Sequence, residues 1–160
     1  MASMSDDANP RLVAAPPAFA VRPARLPECA AVAALAQELL PEAWSEPQLS
    51  SELALPEGRV WVARNELGLL GFLVARRELD ELHVLLTGVA PGAQRRGIGS
   101  RLLHALLAAE RGLAQAHLEV REGNRGAQSF YASLGFEAVG RRPRHYPNGE
   151  AAVLMTLAAI

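Results

Sequence analysis

The sequence predicts a single α/β domain in which short apolar strands alternate with helices. The chain has 160 residues, the usual length of one domain, and 50% of them are hydrophobic while 21% are charged. An apolar run over residues 82–89 leads into a glycine-bearing turn, and a helical pattern over residues 101–112 follows it. This strand–turn–helix order, with further strands and helices on both sides, is typical of α/β domains.

The elements ahead of the turn follow from hydrophobic periodicity and from the positions of proline and glycine. Residues 1–18 are small and polar and include three prolines, which predicts a disordered tail before a domain that spans residues 19–160. We then expect a strand, two helices and two strands joined by a tight turn. They cover residues 19–23, 26–40, 46–53, 60–63 and 69–74.

The apolar run over residues 82–89 has apolar residues on both faces, which is typical of a central strand covered by helices. In the helix after the turn, Ile98, Leu102 and Leu106 recur every four residues and form one apolar stripe. Gly135 predicts the end of a later helix, since glycine is common just beyond a helix C-terminus. The remaining elements are a strand, that helix and two strands, over residues 117–120, 125–134, 136–139 and 152–157.

Composition excludes several classes of protein. A formal net charge of −1 provides no global field to attract nucleic acid, and no apolar stretch reaches the ~18 residues of a membrane span. The first residues carry Asp6 and Asp7 but no basic segment, unlike a signal peptide. The single cysteine, Cys29, cannot form an intrachain disulfide and is expected to pack as a small apolar residue. We therefore predict a cytoplasmic protein.

The glycine-bearing turn over residues 94–100 predicts a binding site for an anion. Gly97 and Gly99 let the backbone turn sharply and approach a ligand. The first N–H groups of the following helix lack partners within it and lie at the positive end of its dipole, which favours a phosphate or pyrophosphate. The alternative is a helix that begins with glycine and solvated arginines. The dinucleotide fingerprint G-x-G-x-x-G is not matched, because position 102 is leucine.

Two blocks of the sequence carry a family resemblance. The first is Val89-Ala90-Pro91 with residues 94–99, and the second runs over residues 118–136 and includes Leu118-Glu119-Val120-Arg121 and Leu134-Gly135-Phe136. They resemble motifs A and B of the GCN5-related N-acetyltransferases, the GNAT superfamily, most closely the RimI-type ribosomal-protein N-terminal alanine acetyltransferases. The resemblance covers residues 19–157 and implies a mixed sheet, flanked by helices and splayed at the cofactor site.

The resemblance implies acetyl-coenzyme A as the co-substrate, without a metal. In the family the loop amides bind the pyrophosphate, and the backbone of the preceding strand pairs with the pantetheine arm as an added strand would. Asn124 also precedes a predicted helix, so simple N-capping is the alternative for that residue. The positions that correspond to the cofactor-binding residues are Gly88, Val89, Arg95, Arg96, Gly97, Ile98, Gly99, Ser100 and Asn124.

Two residues match the catalytic positions of the family. Glu119 lies between apolar residues in a short strand, where a carboxylate is unusual. It matches the RimI-type glutamate that accepts the proton of the acceptor amine; the alternative is a solvent-facing glutamate paired with Arg121. Tyr131 matches the tyrosine that protonates the departing thiolate; the alternative is a core aromatic with its hydroxyl at the surface. Binding alone would require neither residue, so together they favour catalysis.

The acceptor site is less well defined by the sequence. Trp44 and Tyr146 match substrate-binding segments of RimI-type enzymes, and the alternatives are a Trp that covers the core and an ordinary loop aromatic. Two positions depart from the RimI-type ending R-x-x-Y-Y…G-E-D-A. His145 replaces its first tyrosine and Ala151 replaces its aspartate, so the acceptor stays open at this point.

The predicted function is acetyl transfer to a primary amine, with the N-terminal alanine of a ribosomal or other protein as the first choice. The alternatives are a GNAT enzyme that acts on a small-molecule amine and a non-catalytic module that binds acetyl-coenzyme A. The four histidines have neither H-x-H nor i,i+4 spacing, so no zinc site is expected. The expected partner is the acceptor alone, without nucleic acid or membrane, and the expected state is a monomer or homodimer.

Overall fold

The computed structural model describes residues 18–40 and 43–158, and in them seven strands and four α-helices. The predicted tail lies outside the described residues except for Ala18. The order of elements is the predicted one. In chain order they are β1 (Ala20–Pro23), α1 (Cys29–Leu39), α2 (Glu46–Ala54), β2 (Gly58–Asn65), β3 (Gly68–Glu78), β4 (Glu81–Val89), α3 (Ile98–Ala109), β5 (Gln115–Arg121), α4 (Arg125–Ser133), β6 (Glu137–Arg142) and β7 (Ala152–Ala158).

The strands form one sheet in the order β1-β2-β3-β4-β5-β7-β6. β4 and β5 pair in parallel, while every other neighbouring pair of the described strands is antiparallel. A parallel pair needs a long crossover connection, and α3 with its flanking loops provides it. The mixed sheet that the resemblance implied is confirmed.

Helices α1 and α2 cover one face of the sheet, and α3 covers the other. Along β2, Val60 and Val62 belong to the core cluster of α1 and α2, whereas Trp61 and Ala63 belong to the cluster of α3. Successive side chains of a strand point to opposite faces, so β2 is apolar on both. β3 follows the same alternation, and these two strands form the centre of the core.

Beyond β3 the sheet has one open face. Leu82 and Val84 of β4 pack into the cluster of α3, but the opposite face of this segment borders a groove lined by strand and loop residues. Leu85 on that face is exposed, and His83 is only partly buried. The prediction that residues 82–89 are covered on both faces is therefore wrong for the first half of β4. The polar residue His83 within the run was the sequence signal of this open face.

β4 and β5 diverge in the middle of the sheet. Residues 81–84 pair with residues 115–118, and no pairing between the two strands follows in the described chain. At the same place the β3–β4 ladder contains a β-bulge, because Ala75 is opposite Val84 while Val74 is opposite Leu86. A bulge bends its strand. The backbone of β4 after Val84 therefore has no partner on the side of β5, which agrees with the splayed sheet that the resemblance implied.

The ends of several elements differ from the predicted ends. β2 and β3 extend beyond their predicted apolar runs. α3 begins at Ile98, earlier than the predicted residue Arg101, and ends at Ala109 rather than at Gly112. It begins early because Gly97 adopts a left-handed conformation with a φ of 77°, which places the helix start directly after the glycine of the turn.

Candidate active site

The turn between β4 and α3 directs the start of α3 into a cleft. Gly97 is the N-cap of α3, and Arg95 also has a positive φ, of 65°. The backbone N–H groups of Ile98, Gly99 and Ser100 occupy the first turn of the helix, where they have no intrahelical acceptor. They lie at the positive end of the helix dipole, so this turn attracts an anion.

The cleft in front of this turn has a volume of about 730 Å³, and we call it the α3 cleft. Eight of the nine residues predicted to bind the cofactor line it. They are Gly88, Val89, Arg95, Gly97, Ile98, Gly99, Ser100 and Asn124. Arg96 is exposed in the same turn and does not line the cleft, so its role stays a prediction.

Three features of the α3 cleft fit an elongated ligand with an anionic end. A Cβ atom on Gly97 would meet no atom within 4 Å, so the space in front of the turn is open. The first amides of α3 face an anion there. At the other end, Thr87 Oγ1 is buried and has no hydrogen-bond partner among the described residues, and such a group is ready to bond a ligand. The residues present thus fit acetyl-coenzyme A.

Asn124 lies at the start of α4, where its Oδ1 accepts a hydrogen bond from the backbone N–H of Ala127 at 3.0 Å. The capping alternative is therefore confirmed. Asn124 also lines the α3 cleft. The proposed contact with the cofactor stays a prediction beside the cap, since the cap occupies only the amide oxygen.

A second cleft, of about 400 Å³, opens where β4 and β5 diverge, and we call it the central cleft. Thr87, Asn124, Ala127 and Tyr131 line both this cleft and the α3 cleft, so the two are continuous. Glu119 also lines the central cleft. The structure thus brings both predicted catalytic residues to one place.

Tyr131 is held by neighbouring aromatic rings and by burial. Its ring lies edge-on to Phe130 and Phe136, with centroid distances of 5.1 and 5.6 Å. Burial raises the pKa of the phenol above its usual 10.0, and the hydroxyl of Thr87, which lies nearby but outside hydrogen-bond geometry, opposes part of this shift. The ring packs against the core, as the alternative prediction held, and Tyr131 is partly buried where it lines the two clefts. A phenol with a raised pKa keeps its proton at neutral pH, as a general acid must.

Glu119 lies on β5 directly after the last residue that pairs with β4, on the open face of the sheet. Its Oε2 is 2.6 Å from Nε2 of His145, and its Oε1 is 3.4 Å from Nη1 of Arg142. Sequence reasoning found neither contact, because both partners are distant along the chain and approach β5 only through the antiparallel pairing of β6, β7 and β5.

A charged network holds the loop between β6 and β7 against β5. Arg121 Nη1 lies 2.8 Å from Glu150 Oε1, and its guanidinium lies over the ring of Tyr146, 4.1 Å from the centroid. Glu150 Oε2 also accepts a hydrogen bond from the backbone N–H of Gly123. The bond from Arg121 lowers the pKa of Glu150, and burial raises the pKa of Tyr146. The network therefore fixes Tyr146 beside the central cleft.

A third depression, of about 520 Å³, continues across the open face of the sheet, and we call it the open groove. Leu85, Glu119 and Tyr146 line both this groove and the central cleft. The three spaces therefore form one path, which runs from the start of α3, past Tyr131 and Glu119, to the open face.

His83 and His117 are distant in the sequence but lie next to each other in the open groove. The parallel register places His83 opposite His117, and their ring centroids are 5.2 Å apart. Their Nε2 atoms lie 3.7 and 3.5 Å from Oε2 of Glu81, and His117 Nδ1 lies 2.9 Å from Oγ1 of Thr156. Even so, no set of three or more His, Cys, Asp or Glu side chains within residues 18–40 and 43–158 is arranged to hold a metal ion.

The two residues predicted to contact the acceptor both line the central cleft. Trp44 approaches it from the segment before α2, and Tyr146 from the loop after β6. Ser45 fixes the position of Trp44 through a capping box, in which its hydroxyl and backbone N–H bond the backbone N–H and side chain of Gln48. Ala151, the second departure from the RimI-type ending, is buried.

Comparison with known proteins agrees with this geometry. Residues 29–136 match the model of the acetyltransferase (GNAT) family. The chain belongs to the GNAT family. It is an acetyltransferase, and its sheet, helix order and splayed strands are those of the GNAT fold. Within the described part of this GNAT chain, no helix has the length and apolar character needed to cross a membrane.

Relatives of this GNAT chain include bacterial N-terminal acetyltransferases. It is 39% identical over 107 residues to the N-alpha-acetyltransferase RimI of Mycobacterium tuberculosis, a match that covers 64% of this chain and 67% of the relative. It is 37% identical over 91 residues to the ribosomal protein bS18-alanine N-acetyltransferase of Escherichia coli, covering 54% and 62%. The crystal structure of the ribosomal-protein-S18-alanine N-acetyltransferase from Escherichia coli has a TM-score of 0.81 at 28% identity, covering 88% of this chain and 94% of that one.

Proposed function

We propose that this enzyme transfers the acetyl group of acetyl-coenzyme A to the N-terminal α-amine of a protein, with alanine as the favoured first residue. The observation that carries the proposal is the continuous path from the α3 cleft to the open groove, with Glu119 and Tyr131 in its central section. The names of the bacterial relatives support the choice of acceptor. We also propose a cytoplasmic location, where such acceptors are made.

Acetyl-coenzyme A would occupy the α3 cleft and supply an acetyl group activated as a thioester. The amides of Ile98, Gly99 and Ser100 would hold its pyrophosphate, since a helix N-terminus provides both free donors and a favourable dipole. The backbone of Gly88 and Val89 would pair with the pantetheine arm. β4 is free to do so because β5 has diverged from it.

Glu119 would act as the general base. An α-amine has an ordinary pKa of ~8, so much of it is protonated at neutral pH, and only the free amine attacks a thioester. Glu119 lines both the central cleft and the open groove. It therefore meets an amine that enters from the open face and takes its proton, either directly or through a water molecule.

Tyr131 would act as the general acid from the opposite side. It lines both the α3 cleft and the central cleft, which supports a position of its hydroxyl between the cofactor arm and the base. As the amide bond forms and the carbon–sulfur bond breaks, the phenol gives its proton to the leaving sulfur. From the protonated amine to the amide, nitrogen loses two protons. Glu119 takes the first before the attack, and the second, released as the amide forms, replaces the proton that Tyr131 gives to sulfur.

The open groove favours a peptide acceptor over a small amine. The groove lies beyond the catalytic pair and has a volume of about 520 Å³. This volume leaves room for the second and later residues of a peptide. Trp44 and Tyr146 at the central cleft would contact the first residue. A small amine would need the central cleft alone.

A thiol-release assay with matched acceptors tests the proposal. One peptide carries a free N-terminal alanine, a second is the same peptide with a blocked terminus and an internal lysine, and a third acceptor is a small amine. We expect rapid release of coenzyme A with the first acceptor alone. Equal rates with the blocked lysine peptide would contradict N-terminal specificity, and a preference for the small amine would contradict the peptide acceptor. Binding of acetyl-coenzyme A without turnover of any acceptor would make the chain a binding module.

A further inference from the structure

The general base of the proposed reaction has an imidazole as its nearest neighbour. His145 Nε2 lies 2.6 Å from Glu119 Oε2, in the loop between β6 and β7. A proton can pass directly between two atoms at this distance. The imidazole also reaches solvent, because the His145 side chain is 32% exposed, beside 33% for that of Glu119. The pair therefore connects the central cleft to bulk water.

The loop that carries His145 is held in place on both sides. The backbone N–H groups of His145 and Tyr146 both donate to the carbonyl oxygen of Glu150. The ring of Tyr146 packs edge-on against the imidazole, with centroids 4.9 Å apart, and stacks below the guanidinium of Arg121. The imidazole is thus fixed toward Glu119.

A second basic side chain contacts the carboxylate of Glu119 beside His145. Arg142 on β6 lies 3.4 Å from Oε1 of Glu119, so a guanidinium contacts one carboxylate oxygen while the imidazole contacts the other. Arg121 and Glu150 pair with each other on the other side of Tyr146. An imidazole has two ring nitrogens, so it can take up a proton at one and release a proton from the other.

We propose that His145 relays the proton that Glu119 removes from the acceptor amine. The amine N–H bond breaks, and the proton reaches Oε2 of Glu119 and then Nε2 of His145. The resulting imidazolium loses one N–H proton to bulk water, and the pair returns to its starting charge. His145 acts only through Glu119, so it is a positioning residue, and its role rests on the proposed function. His145 stands where the RimI-type ending has its first tyrosine, and in this proposal it carries a proton away from the general base.

Two substitutions separate proton relay from simple hydrogen bonding. His145→Gln keeps a hydrogen-bond donor but cannot take up a proton. We expect its kcat to fall roughly tenfold at pH 7, which is less than the ~10²–10⁴ of a primary base because water partly replaces the relay. The KM for acetyl-coenzyme A should not change. His145→Ala should lose a similar factor, and free imidazole added to the buffer should restore its rate in a saturable manner. A kcat of His145→Gln within twofold of the parent would overturn the relay.

A second readout tests the contact without turnover. The ¹⁵N signals of the His145 ring should shift in Glu119→Gln, while those of His104, which lies on α3 away from Glu119, should not. Arg144→Gln is the matched control for the loop, since Arg144 is the exposed neighbour of His145, and its kcat should equal that of the parent. Unchanged His145 signals in Glu119→Gln would overturn the contact and with it the relay.

The outcomes also separate this inference from the proposed function. If the parent enzyme acetylates no acceptor, the proposed function fails. If the parent is active and Glu119→Gln is impaired while His145→Gln is not, the relay alone fails. If imidazole restores His145→Ala but not the double variant Glu119→Gln/His145→Ala, the proton passes through Glu119 as proposed.

Discussion

The α3 cleft and the open groove are built from different parts of the chain. Backbone groups and glycines form much of the α3 cleft, and most of its wall comes from one continuous segment over residues 87–100. Side chains from β4, β5, β6, β7 and the loop after β6 form the open groove, including three histidines and two glutamates. The shape of the α3 cleft therefore depends on backbone conformation, whereas the binding properties of the open groove depend on the side chains that line it. Substitutions should therefore affect the two in different measurable ways.

The largest expected effect is at Glu119, where the open groove meets the central cleft. Glu119→Gln keeps the size of the side chain but cannot accept a proton, so kcat should fall by ~10²–10⁴. The affinity for acetyl-coenzyme A should stay the same, because Glu119 does not line the α3 cleft. Steady-state kinetics and titration calorimetry measure the two quantities.

Glu122→Gln is the matched control for Glu119. Glu122 follows the end of β5, pairs with Arg141 and lines none of the three spaces. Its kcat should lie within twofold of the parent. If Glu119→Gln were equally active, the base would lie elsewhere.

Tyr131 is expected to give the next largest effect. Tyr131→Phe keeps the edge-on packing with Phe130 and Phe136 and removes only the hydroxyl, so kcat should fall by roughly 10² while the melting temperature changes little. Because burial raises the pKa of Tyr131, the acid stays protonated through alkaline pH. The parent should therefore keep its kcat up to about pH 9, a full unit below the ordinary pKa of a phenol. A loss of kcat with a midpoint near pH 8 would speak against this residue as the acid.

Substitution of Gly97 tests the α3 cleft, whose wall is formed largely by backbone groups. Any β-branched residue is strained at a φ of 77°, at a cost of about 1–3 kcal/mol, and its side chain would occupy the open space in front of the turn. Gly97→Val should therefore weaken the binding of acetyl-coenzyme A by roughly 10- to 100-fold in titration calorimetry, with a smaller effect on kcat at saturation.

Gly112→Val is the matched control for Gly97→Val. Gly112 has nearly the same φ, 74°, and its added Cβ would meet Arg77 only at an ordinary 3.8 Å. It follows α3 at the end away from the cleft. Both variants should lose similar stability, but only Gly97→Val should lose affinity. Equal affinities in the two variants would remove the turn from the cofactor site.

The same contrast explains which parts of the molecule the sequence predicts. The anion site at Gly97 follows from a contiguous strand–turn–helix segment, because helix geometry alone leaves the first amides free. The order of elements follows from periodicity and turn residues in the same local way. The positions of Glu119 and Tyr131 as catalytic candidates came from the family resemblance, and their roles stay predictions until the variants are measured.

The open groove was not predicted, since it depends on contacts between distant strands. His83 and His117 meet only through the parallel register of β4 and β5, and His145 reaches Glu119 only through the pairing of β6, β7 and β5. Spacing along the chain contains no information on these registers. The prediction of a fully covered β4 failed for a related reason, because the coverage of a strand by helices is a tertiary property.

The smallest expected effect is at Glu28, a carboxylate with a structural role that contrasts with Glu119. Arg22 donates two hydrogen bonds to it at 2.8 and 2.9 Å, the backbone N–H of Arg25 donates a third, and Arg64 lies 3.3 Å away. The bonds from Arg22 lower the pKa of Glu28 from 4.5 to about 2. It lines none of the three spaces described above.

A carboxyl whose pKa is lowered on folding stabilises the native state above its unfolded pKa, and this contribution is lost as the pH falls through the folded pKa. Glu28→Gln should therefore lower the melting temperature at pH 7 by about 2–4 °C, the shift that ~1 kcal/mol produces in a domain of this size. The difference from the parent should shrink between pH 4.5 and pH 2, and kcat at pH 7 should not change. Glu66→Gln, in the exposed turn between β2 and β3, should change neither quantity. A difference in melting temperature that persists at pH 2 would mean that packing, rather than charge, makes Glu28 stabilising.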